Sequence, residues 1–377
     1  MKWQTIWMHT CNDFSSLPFK MEQLTQIIQV TSNLTGTKIR FRLANLYGKQ
    51  ELIFQNVEFS KDETFHVKLQ VTLQGSPIIK IPQGGKIKTD PLEVKVQAGE
   101  KIFLRLSSNK PQTYTDFGNT YDTTLTNAGI IRKADGLPRL RSSFTARRGW
   151  FCLDQVQLYT VKQPKVILFT GDSLIEMGLI SDSLTAKLYR NFPEKVVALN
   201  SGISGNRVLH DAPEDELLYQ TFGQGLLERV PKLLNIKPDL VFVFAGGNDL
   251  ILPLLSTQAQ AQLVSAEELA EAMAKVQLLV SENGGVLLWG DLFPFKLGHN
   301  NTVFHTKMYN NAQQIRRRLN QLVRGRGYVF HNNFVENNEG QLADTYDLGD
   351  HLHIGKEGGM KIAARLYKRV CLALKLY

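Results

Sequence analysis

The second half of the chain alternates short apolar runs with segments of helical periodicity, and this alternation constrains the fold more than any other feature. The apolar runs are residues 166–169, 196–199, 240–244, 286–289 and 328–330. The helix-like segments are residues 174–189, 217–234, 265–280, a stretch around 308–323, and a last helix with Ile362, Leu366 and Val370 at four-residue spacing. Strands that alternate with helices are typical of a parallel sheet covered by helices on both faces. We therefore predict an α/β domain with a doubly wound sheet.

The first half has a different pattern, in which strand-like runs are separated by turn residues. Residues 38–43 and 92–96 alternate polar and apolar side chains, and residues 102–106 form a third such run. The pattern weakens over residues 111–148, where we predict a long irregular loop, and a single strand over 150–158 follows. Short strands between turns predict an all-β sandwich or jelly roll. A chain of 377 residues also exceeds what one core usually serves. We therefore place a β domain at 1–162 and the α/β domain at 163–377.

Composition and charge argue against a nucleic-acid partner. The chain is 43% hydrophobic and 21% charged, as in ordinary globular proteins, and its formal charge is +9. The densest basic cluster consists of Arg316, Arg317, Arg318, Arg324 and Arg326. No aromatic residues interleave these arginines, so we predict a solvated helix face and no nucleic-acid partner.

Cysteine usage and the ends of the chain bear on redox chemistry and location. The three cysteines, Cys11, Cys152 and Cys371, are far apart and have no metal-binding or disulfide spacing. The first residues lack the apolar run of a signal peptide, and no segment resembles a transmembrane span. We therefore predict a cytoplasmic location without membrane association, although a processed, secreted form would have the same appearance.

Gly171-Asp172-Ser173 directly follows the first apolar run of the alternating half. A buried strand that ends in a tight turn exposes its first polar side chain at the sheet edge where α/β proteins bind ligands. Serine at the start of a helix has two possible roles. It is a preferred cap residue, and it is also a nucleophile placed beside free backbone N–H groups.

Three more polar clusters follow strands or precede the last helix. Gly202 is either an ordinary glycine turn or a point where backbone approaches a ligand closely. Asn248 is either a turn residue or an amide donor. Asp350 precedes His353 by three residues, so one short turn can bring the carboxylate to one imidazole nitrogen and leave the other facing a serine. Together these groups supply a nucleophile, a base, an orienting carboxylate and oxyanion donors, which acyl transfer requires.

These clusters resemble the four sequence blocks of the GDSL, or SGNH, hydrolases. The matching stretches are Gly171-Asp-Ser-Leu174, Gly202, Gly246-Gly-Asn-Asp249 and Asp350-His-Leu-His353. The resemblance extends over roughly residues 165–377, and residues 32–48 and 150–156 are similar to the β domain of an esterase/lipase subgroup. It implies an SGNH, flavodoxin-like three-layer domain preceded by an all-β jelly-roll or sandwich domain.

The resemblance also implies a role for each matching residue. Ser173 would be the nucleophile, His353 the base and Asp350 its orienting carboxylate. The oxyanion hole would combine the backbone N–H groups of Ser173 and Gly202 with the Asn248 amide, and no metal or organic cofactor would be required. Two nearby residues, Arg207 and His210, either line the pocket or only anchor its loop. His351 lies next to Asp350, and we expect it to point elsewhere.

We therefore predict a serine esterase or deacetylase that acts on short acyl esters of a small molecule or a carbohydrate. An acetyl group on a carbohydrate is one expectation, which rests on analogy with sugar-binding β sandwiches. An acyltransferase with the same triad and a non-catalytic carbohydrate-binding protein are the alternatives. The sequence leaves the oligomeric state open.

Overall fold

A computed structural model describes residues 1–297 and 303–377. These residues divide into two units. The first comprises Met1–Lys165, Asp182–Asn200 and Leu376, and the second Val166–Ser181, Ser201–Lys375 and Tyr377. The predicted domain boundary between residues 162 and 163 stays a prediction. Within the described ranges, we find no helix with the length and apolar character needed to span a membrane.

The amino-terminal part of the chain is built from short strands. These strands are β1 (Lys2–Met8), β2 (Asn12–Asp13), β3 (Phe19–Met21), β4 (Leu24–Thr31), β5 (Lys38–Asn45), β6 (Leu52–Phe54), β7 (Asn56–Ser60), β8 (Lys68–Gln70), β9 (Ile79–Ile81), β10 (Gly85–Lys88), β11 (Lys101–Ser108), β12 (Gln112–Tyr114), β13 (Asp116–Thr120), β14 (Thr126–Ile131), β15 (Arg148–Phe151) and β16 (Leu153–Thr160). The two largest sheets have the orders β1-β16-β5-β10 and β14-β4-β11-β7-β8, and their pairings are antiparallel. The β-rich character is confirmed, and the jelly-roll connectivity stays a prediction.

The strand predicted over residues 92–96 is wrong. Leu92 and Val96 make only isolated bridges, with Ile39 and Gly36 respectively. Between them, Val94 N–H donates to the Leu92 carbonyl at 3.0 Å, which closes a three-residue turn that bends the backbone away from a continuous ladder. The alternation therefore predicted correctly which side chains of residues 92–96 are more buried, but it did not predict whether their backbone pairs with a neighbouring strand.

The irregular loop predicted over residues 111–148 is wrong over residues 112–131, where β12, β13 and β14 lie, whereas residues 132–147 form neither helix nor strand. All five residues of β13 are buried although several are polar. One of them, Asp116, accepts the N–H groups of Leu46 and Tyr47 at 2.8 and 3.1 Å. A strand whose polar side chains serve as internal acceptors carries no hydrophobic alternation. The single strand predicted over 150–158 is divided into β15 and β16 at Cys152, whose φ is 70°.

The alternating half forms one parallel sheet, as predicted. Its strands are β17 (Lys165–Gly171), β18 (Val196–Gly202), β19 (Leu240–Phe244), β20 (Val286–Gly290) and β21 (Val329–Phe330), in the order β18-β17-β19-β20-β21. The helices are α1 (Ser173–Glu176), α2 (Ser181–Asn191), α3 (Leu226–Leu233), α4 (Asn248–Ile251), α5 (Thr257–Gln260), α6 (Ala266–Glu282), α7 (Val303–Leu322) and α8 (Lys356–Ala373), with 3₁₀ turns at Tyr219–Phe222, Leu234–Ile236, Leu252–Leu254 and Asn333–Val335. All five predicted apolar runs overlap a strand, which confirms the α/β prediction.

The helix predictions need three corrections. The segment 217–234 is not one continuous helix, because it contains the 3₁₀ turn Tyr219–Phe222 and α3, separated at Gly223, whose φ is 70°. The segment 174–189 is two helices, separated at Gly178, whose φ of 81° ends the first one. Arg316, predicted on a solvated face, is only 2% exposed. Its guanidinium donates to Gln313 at 3.0 Å and pairs with Glu336 at 2.8 Å. A buried guanidinium that pairs with a distant carboxylate gives no local signal in the sequence, so the arginine run appeared uniformly polar.

Candidate active site

A tight turn after β17 presents Ser173. The strand ends at Gly171, whose φ of 134° lies in the region that favours glycine. A Cβ on Gly171 would lie 1.8 Å from the carbonyl oxygen of Phe244 in β19, so a larger residue does not fit. The next residue, Asp172, donates its N–H to the same carbonyl at 3.0 Å. The glycine therefore lets the turn pack directly on the neighbouring strand.

Asp172, and not Ser173, caps the helix that follows. Its carboxylate accepts the Leu174 N–H at 3.0 Å, and α1 begins at Ser173. Of the two roles weighed for Ser173, side-chain capping is thus taken by the neighbouring aspartate. The Ser173 hydroxyl instead lies 2.8 Å from Nε2 of His353.

Ser173, His353 and Asp350 form a hydrogen-bonded chain. Nδ1 of His353 lies 2.6 Å from Oδ2 of Asp350, and the His353 backbone N–H donates to Oδ1 at 2.8 Å. With Nδ1–H donating to the carboxylate, Nε2 is left to accept the serine proton. This arrangement can transfer a proton from the hydroxyl to the imidazole.

The pKa of the Asp350 carboxyl group is lowered to about 2. Burial raises this pKa, but the hydrogen bond and charge attraction from the His353 ring and two backbone N–H groups outweigh burial. The carboxylate is therefore ionised throughout the neutral range, where it can hold the imidazole in one tautomer.

The described part of the chain has further Asp–His pairs near this turn and this cleft. His351 Nδ1 lies 2.6 Å from Oδ2 of Asp347, and the His351 side chain is 56% exposed. His331 Nδ1 lies 3.0 Å from Oδ2 of Asp291. Of the three histidines in these pairs, His353 makes the hydrogen bond to the Ser173 hydroxyl.

Gly202 packs against the turn that carries Ser173. A Cβ on Gly202 would lie 2.4 Å from the backbone nitrogen of Glu176 and 3.0 Å from the carbonyl oxygen of Asp172. The next residue, Ile203, donates its N–H to the Gly171 carbonyl at 3.0 Å. A larger residue therefore does not fit at Gly202, and its predicted approach to a ligand stays a prediction.

Asn248 is the first residue of α4 and borders the same cleft as Ser173. Its Nδ2 donates to the backbone carbonyl of Asn206 at 3.2 Å. An amide nitrogen carries two hydrogens, so this contact fixes the side chain and leaves a second donor for a ligand.

Two buried carboxyl groups that the sequence analysis did not single out hold the loop after β18. Glu176 accepts the backbone N–H of Ser204 at 3.0 Å and also its hydroxyl. Asp249 accepts the N–H groups of Val208 and Leu209 at 2.7 and 3.0 Å. The available signal for Glu176 was a charge among the apolar residues after Ser173.

Ser173, Asn248 and His353 line one cleft of about 40 Å³. That volume accommodates about three water-sized groups. The lining is mostly apolar and includes Leu174, Phe244, Ala245, Ile251, Leu292, Phe293, Pro294, Phe295 and Leu352. Neither Gly202 nor the predicted pocket residues Arg207 and His210 are among the described residues that line it.

Arg207 lies in the loop after β18, where it is buried and donates to the Asp211 carbonyl. Burial lowers the pKa of this guanidinium, and the nearby Asp249 and Asp211 raise it. This environment supports the loop-anchoring alternative for Arg207. His210 is partly buried and lies in the same loop.

The segment 292–295, which forms one wall of the cleft, is held by one face of α7. Tyr309 and Gln313 donate to the Phe295 carbonyl at 2.9 and 2.8 Å, and Asn320 donates to the Leu292 carbonyl at 2.9 Å. These three side chains lie on one face because helical neighbours recur every three or four residues. The sequence analysis missed this wall, although its apolar residues directly follow the fourth predicted strand.

Asp172 is a buried carboxyl group with a pKa raised to about 7. Loss of hydration is the main cause, which the Leu174 hydrogen bond and the charge of His353 oppose and nearby Asp249 reinforces. Burial likewise raises the pKa of Asp249 to about 6. The folded protein therefore binds protons at these groups more tightly than the unfolded chain does.

This difference predicts how stability depends on pH. For Asp172, the protonated form contributes stability fully below the unfolded pKa of 3.8, and this contribution is lost as pH rises through about 7. Asparagine keeps the capping oxygen but does not ionise. As pH rises from 3.8 to about 7, we expect the urea midpoint of Asp172→Asn to fall less than that of the wild type.

Asp215→Asn is a control, because the pKa of Asp215 is shifted in the opposite direction to that of Asp172. Hydrogen bonds from Ser256, Gln258 and Thr257 outweigh desolvation and lower the pKa of Asp215, so its contribution is lost as pH falls. An Asp172→Asn variant with the same pH slope as the wild type would contradict the proposed proton binding.

Residues 169–359 match the model of the GDSL-like Lipase/Acylhydrolase family. No curated protein matches. Several solved structures are also similar to this chain. A GDSL-like lipase from Bacteroides thetaiotaomicron is 18% identical over 56% of this chain and 89% of its own, with a TM-score of 0.38.

Two further structures are similar to this chain at comparable levels of sequence identity. The psychrotrophic esterase EstA from Pseudoalteromonas sp. is 17% identical, with 56% of this chain and 99% of its own covered and a TM-score of 0.34. A catalytic mutant of the acetylxylan esterase Axe2 from Geobacillus stearothermophilus is 14% identical, with 57% and 96% covered and a TM-score of 0.36. Identities this low do not transfer a substrate to this chain.

Proposed function

Because the chain belongs to the GDSL-like lipase/acylhydrolase family of carboxylic ester hydrolases, we propose that it is a serine esterase with Ser173, His353 and Asp350 as its triad. The observation that carries this proposal is the 2.8 Å separation between the Ser173 hydroxyl and Nε2 of His353. The ionised Asp350 on the other imidazole nitrogen supports the assignment of His353 as the base.

In the acylation step, Ser173 attacks the ester carbonyl while His353 takes the hydroxyl proton. The carbonyl oxygen becomes an oxyanion, which the Ser173 and Gly202 N–H groups and the Asn248 amide stabilise. His353 then gives its proton to the leaving alcohol, and the acyl group stays on Ser173. A water, deprotonated by His353, attacks the acyl-enzyme and releases the acid, which restores the free hydroxyl.

The size and lining of the cleft support a short acyl group. A cavity of about 40 Å³ bordered by Phe293 and Phe295 has room for an acetyl or propionyl group beside Ser173. Phe293 packs against Phe244 with ring centroids 5.1 Å apart, and the wall behind Phe295 is held by α7. A well-supported wall resists the displacement that a long chain would require.

The alcohol part of the substrate is proposed to be a small molecule or a carbohydrate. Two series of substrates test the acyl group and the alcohol separately. The first varies the length of the acyl chain on one alcohol, and the second compares acetyl esters of different sugars and simple alcohols. The measurement is the ratio of kcat/KM values, which reports discrimination directly. A preference for octanoyl over acetyl esters would contradict the short-chain proposal, and equal rates on sugar and simple alkyl acetates would contradict the carbohydrate part.

The first series of substrates also gives a prediction for the cleft wall. Phe293→Ala removes a ring from the lining, so we expect the preferred acyl chain to lengthen. Each added methylene that the new space accommodates is worth roughly 0.8 kcal/mol, or about fourfold in relative kcat/KM. Phe334→Ala is the matched control, since Phe334 packs on Tyr346 and Arg365 and is not among the residues that line the cleft in the described ranges. An unchanged chain-length profile in Phe293→Ala would remove Phe293 as a determinant of acyl length.

A further inference from the structure

Arg229 is a buried cation in the second unit that the triad does not use. It is the fourth residue of α3, and 9% of its surface is exposed. Arginine is seldom buried unless its donors are satisfied, because transfer of the charge from water is costly. Its contacts therefore indicate what its burial serves.

The Arg229 guanidinium joins the carboxyl ends of two neighbouring strands. Nη1 donates to the Ser201 carbonyl at 3.1 Å, near the end of β18. Nη2 donates to the Gly171 carbonyl at 3.4 Å, at the end of β17, and to Oδ1 of Asn206 at 2.8 Å. Arg229 thus contacts the end of β17, two residues before Ser173, and the end of β18, which includes Gly202.

The contact with Ser201 bears directly on the Gly202 donor. The Ser201 carbonyl and the Gly202 N–H belong to one peptide group, whose planar trans geometry points them in opposite directions. A donor that holds the carbonyl therefore fixes the direction of the N–H on the far side. The hydrogen bond also polarises the peptide group, which strengthens its N–H as a donor.

The contact with Asn206 reaches the third donor. The side chain of Asn206 accepts from Arg229, while its backbone carbonyl accepts Nδ2 of Asn248 at 3.2 Å. Asn206 also donates to the carbonyls of Phe222 and Gln224 at 2.8 Å each. Arg229 therefore supports the residue that orients the Asn248 amide.

We propose that Arg229 is a positioning residue of the oxyanion hole, holding the Gly202 peptide, the Ser173 turn and the Asn206–Asn248 contact in one geometry. This inference rests on the proposed function. An arginine guanidinium carries a positive charge. The charge of Arg229 lies behind the Ser201–Gly202 peptide and so favours an anion on the opposite side of that peptide. Since an oxyanion develops only during the reaction, the contribution falls on kcat more than on KM.

The test compares three folded variants in the hydrolysis of 4-nitrophenyl acetate. Arg229→Met removes every donor, and we expect kcat to fall by about 100- to 1,000-fold, the range for loss of one oxyanion donor, with KM within about threefold. Arg229→Lys keeps the charge but reaches fewer oxygens, so it should recover part of this loss. Val230→Ala is the matched control, because Val230 is the next residue of α3 and belongs to the buried core.

The control separates positioning from helix stability. Val230→Ala should lower the free energy of unfolding and leave kcat within about threefold, since its change is a lost core contact. Wild-type kcat in Arg229→Met, or an equal loss of kcat in Val230→Ala at equal loss of stability, would overturn the inference. If Arg229→Met does not fold, Arg229→Lys decides: lowered kcat with unchanged KM supports positioning, and wild-type kcat overturns it.

The wild type and Ser173→Ala distinguish this inference from the proposed function. An inactive wild type on every ester tested contradicts the proposed function itself. An active wild type, an inactive Ser173→Ala and an unaffected Arg229→Met leave the esterase intact and overturn only the role of Arg229.

Discussion

Replacing Ser173 with alanine is expected to abolish ester hydrolysis and labelling by a fluorophosphonate probe. The hydroxyl is the atom that attacks the carbonyl or the phosphorus, and it already lies 2.8 Å from the base that takes its proton. Loss of a triad nucleophile costs about 10⁶-fold in kcat in serine hydrolases. The turn itself should survive, because the helix is capped by Asp172 and the glycine contact with β19 does not involve the Ser173 side chain.

The control for this variant is a serine outside the site. Ser281 is exposed on α6, and its hydroxyl donates to the Leu278 carbonyl at 2.8 Å. Ser281→Ala should keep wild-type labelling and hydrolysis. Undiminished labelling of Ser173→Ala, with an unchanged unfolding midpoint, would remove Ser173 as the nucleophile.

The parts of this fold that could be predicted depend on local periodicity. Each strand of the parallel sheet is buried on both faces, so it appears in the sequence as a continuous apolar run between helical segments. The turn at Gly171 and the short spacing between Asp350 and His353 are also local, since three residues suffice to place both hydrogen bonds to the carboxylate. Such features can be recognised without knowledge of the tertiary structure.

The parts that could not be predicted depend on contacts between distant residues. The bends at Val94 and Cys152 are backbone features that hydrophobic alternation does not encode. Arg229 and Arg316 are arginines in amphipathic helices, where an exposed position is the usual expectation. Their partners are carbonyls and a carboxylate from other elements, so only the folded chain reveals that these guanidinium groups are buried.

The turn before α8 contains two Asp–His pairs of almost equal geometry, which makes the choice of base a sharp test. His351 and His353 each lie 2.6 Å from a carboxylate, Asp347 and Asp350 respectively. A carboxylate on Nδ1 is therefore not what distinguishes them. The difference is on the other nitrogen, where His353 Nε2 meets the Ser173 hydroxyl and the His351 ring is mostly exposed.

We therefore expect His353→Ala to lower kcat on a short aryl ester by about 10⁴- to 10⁶-fold, because the serine hydroxyl loses its proton acceptor. His351→Ala removes a ring with the same Asp–His contact and the same chain neighbourhood, so it is the matched control and should keep kcat within about tenfold. Small losses in both variants would indicate that neither histidine takes the proton. A large loss in His351→Ala alone would move the base to His351 and would require the turn to rearrange when substrate binds, since Ser173 could not otherwise be deprotonated by that ring.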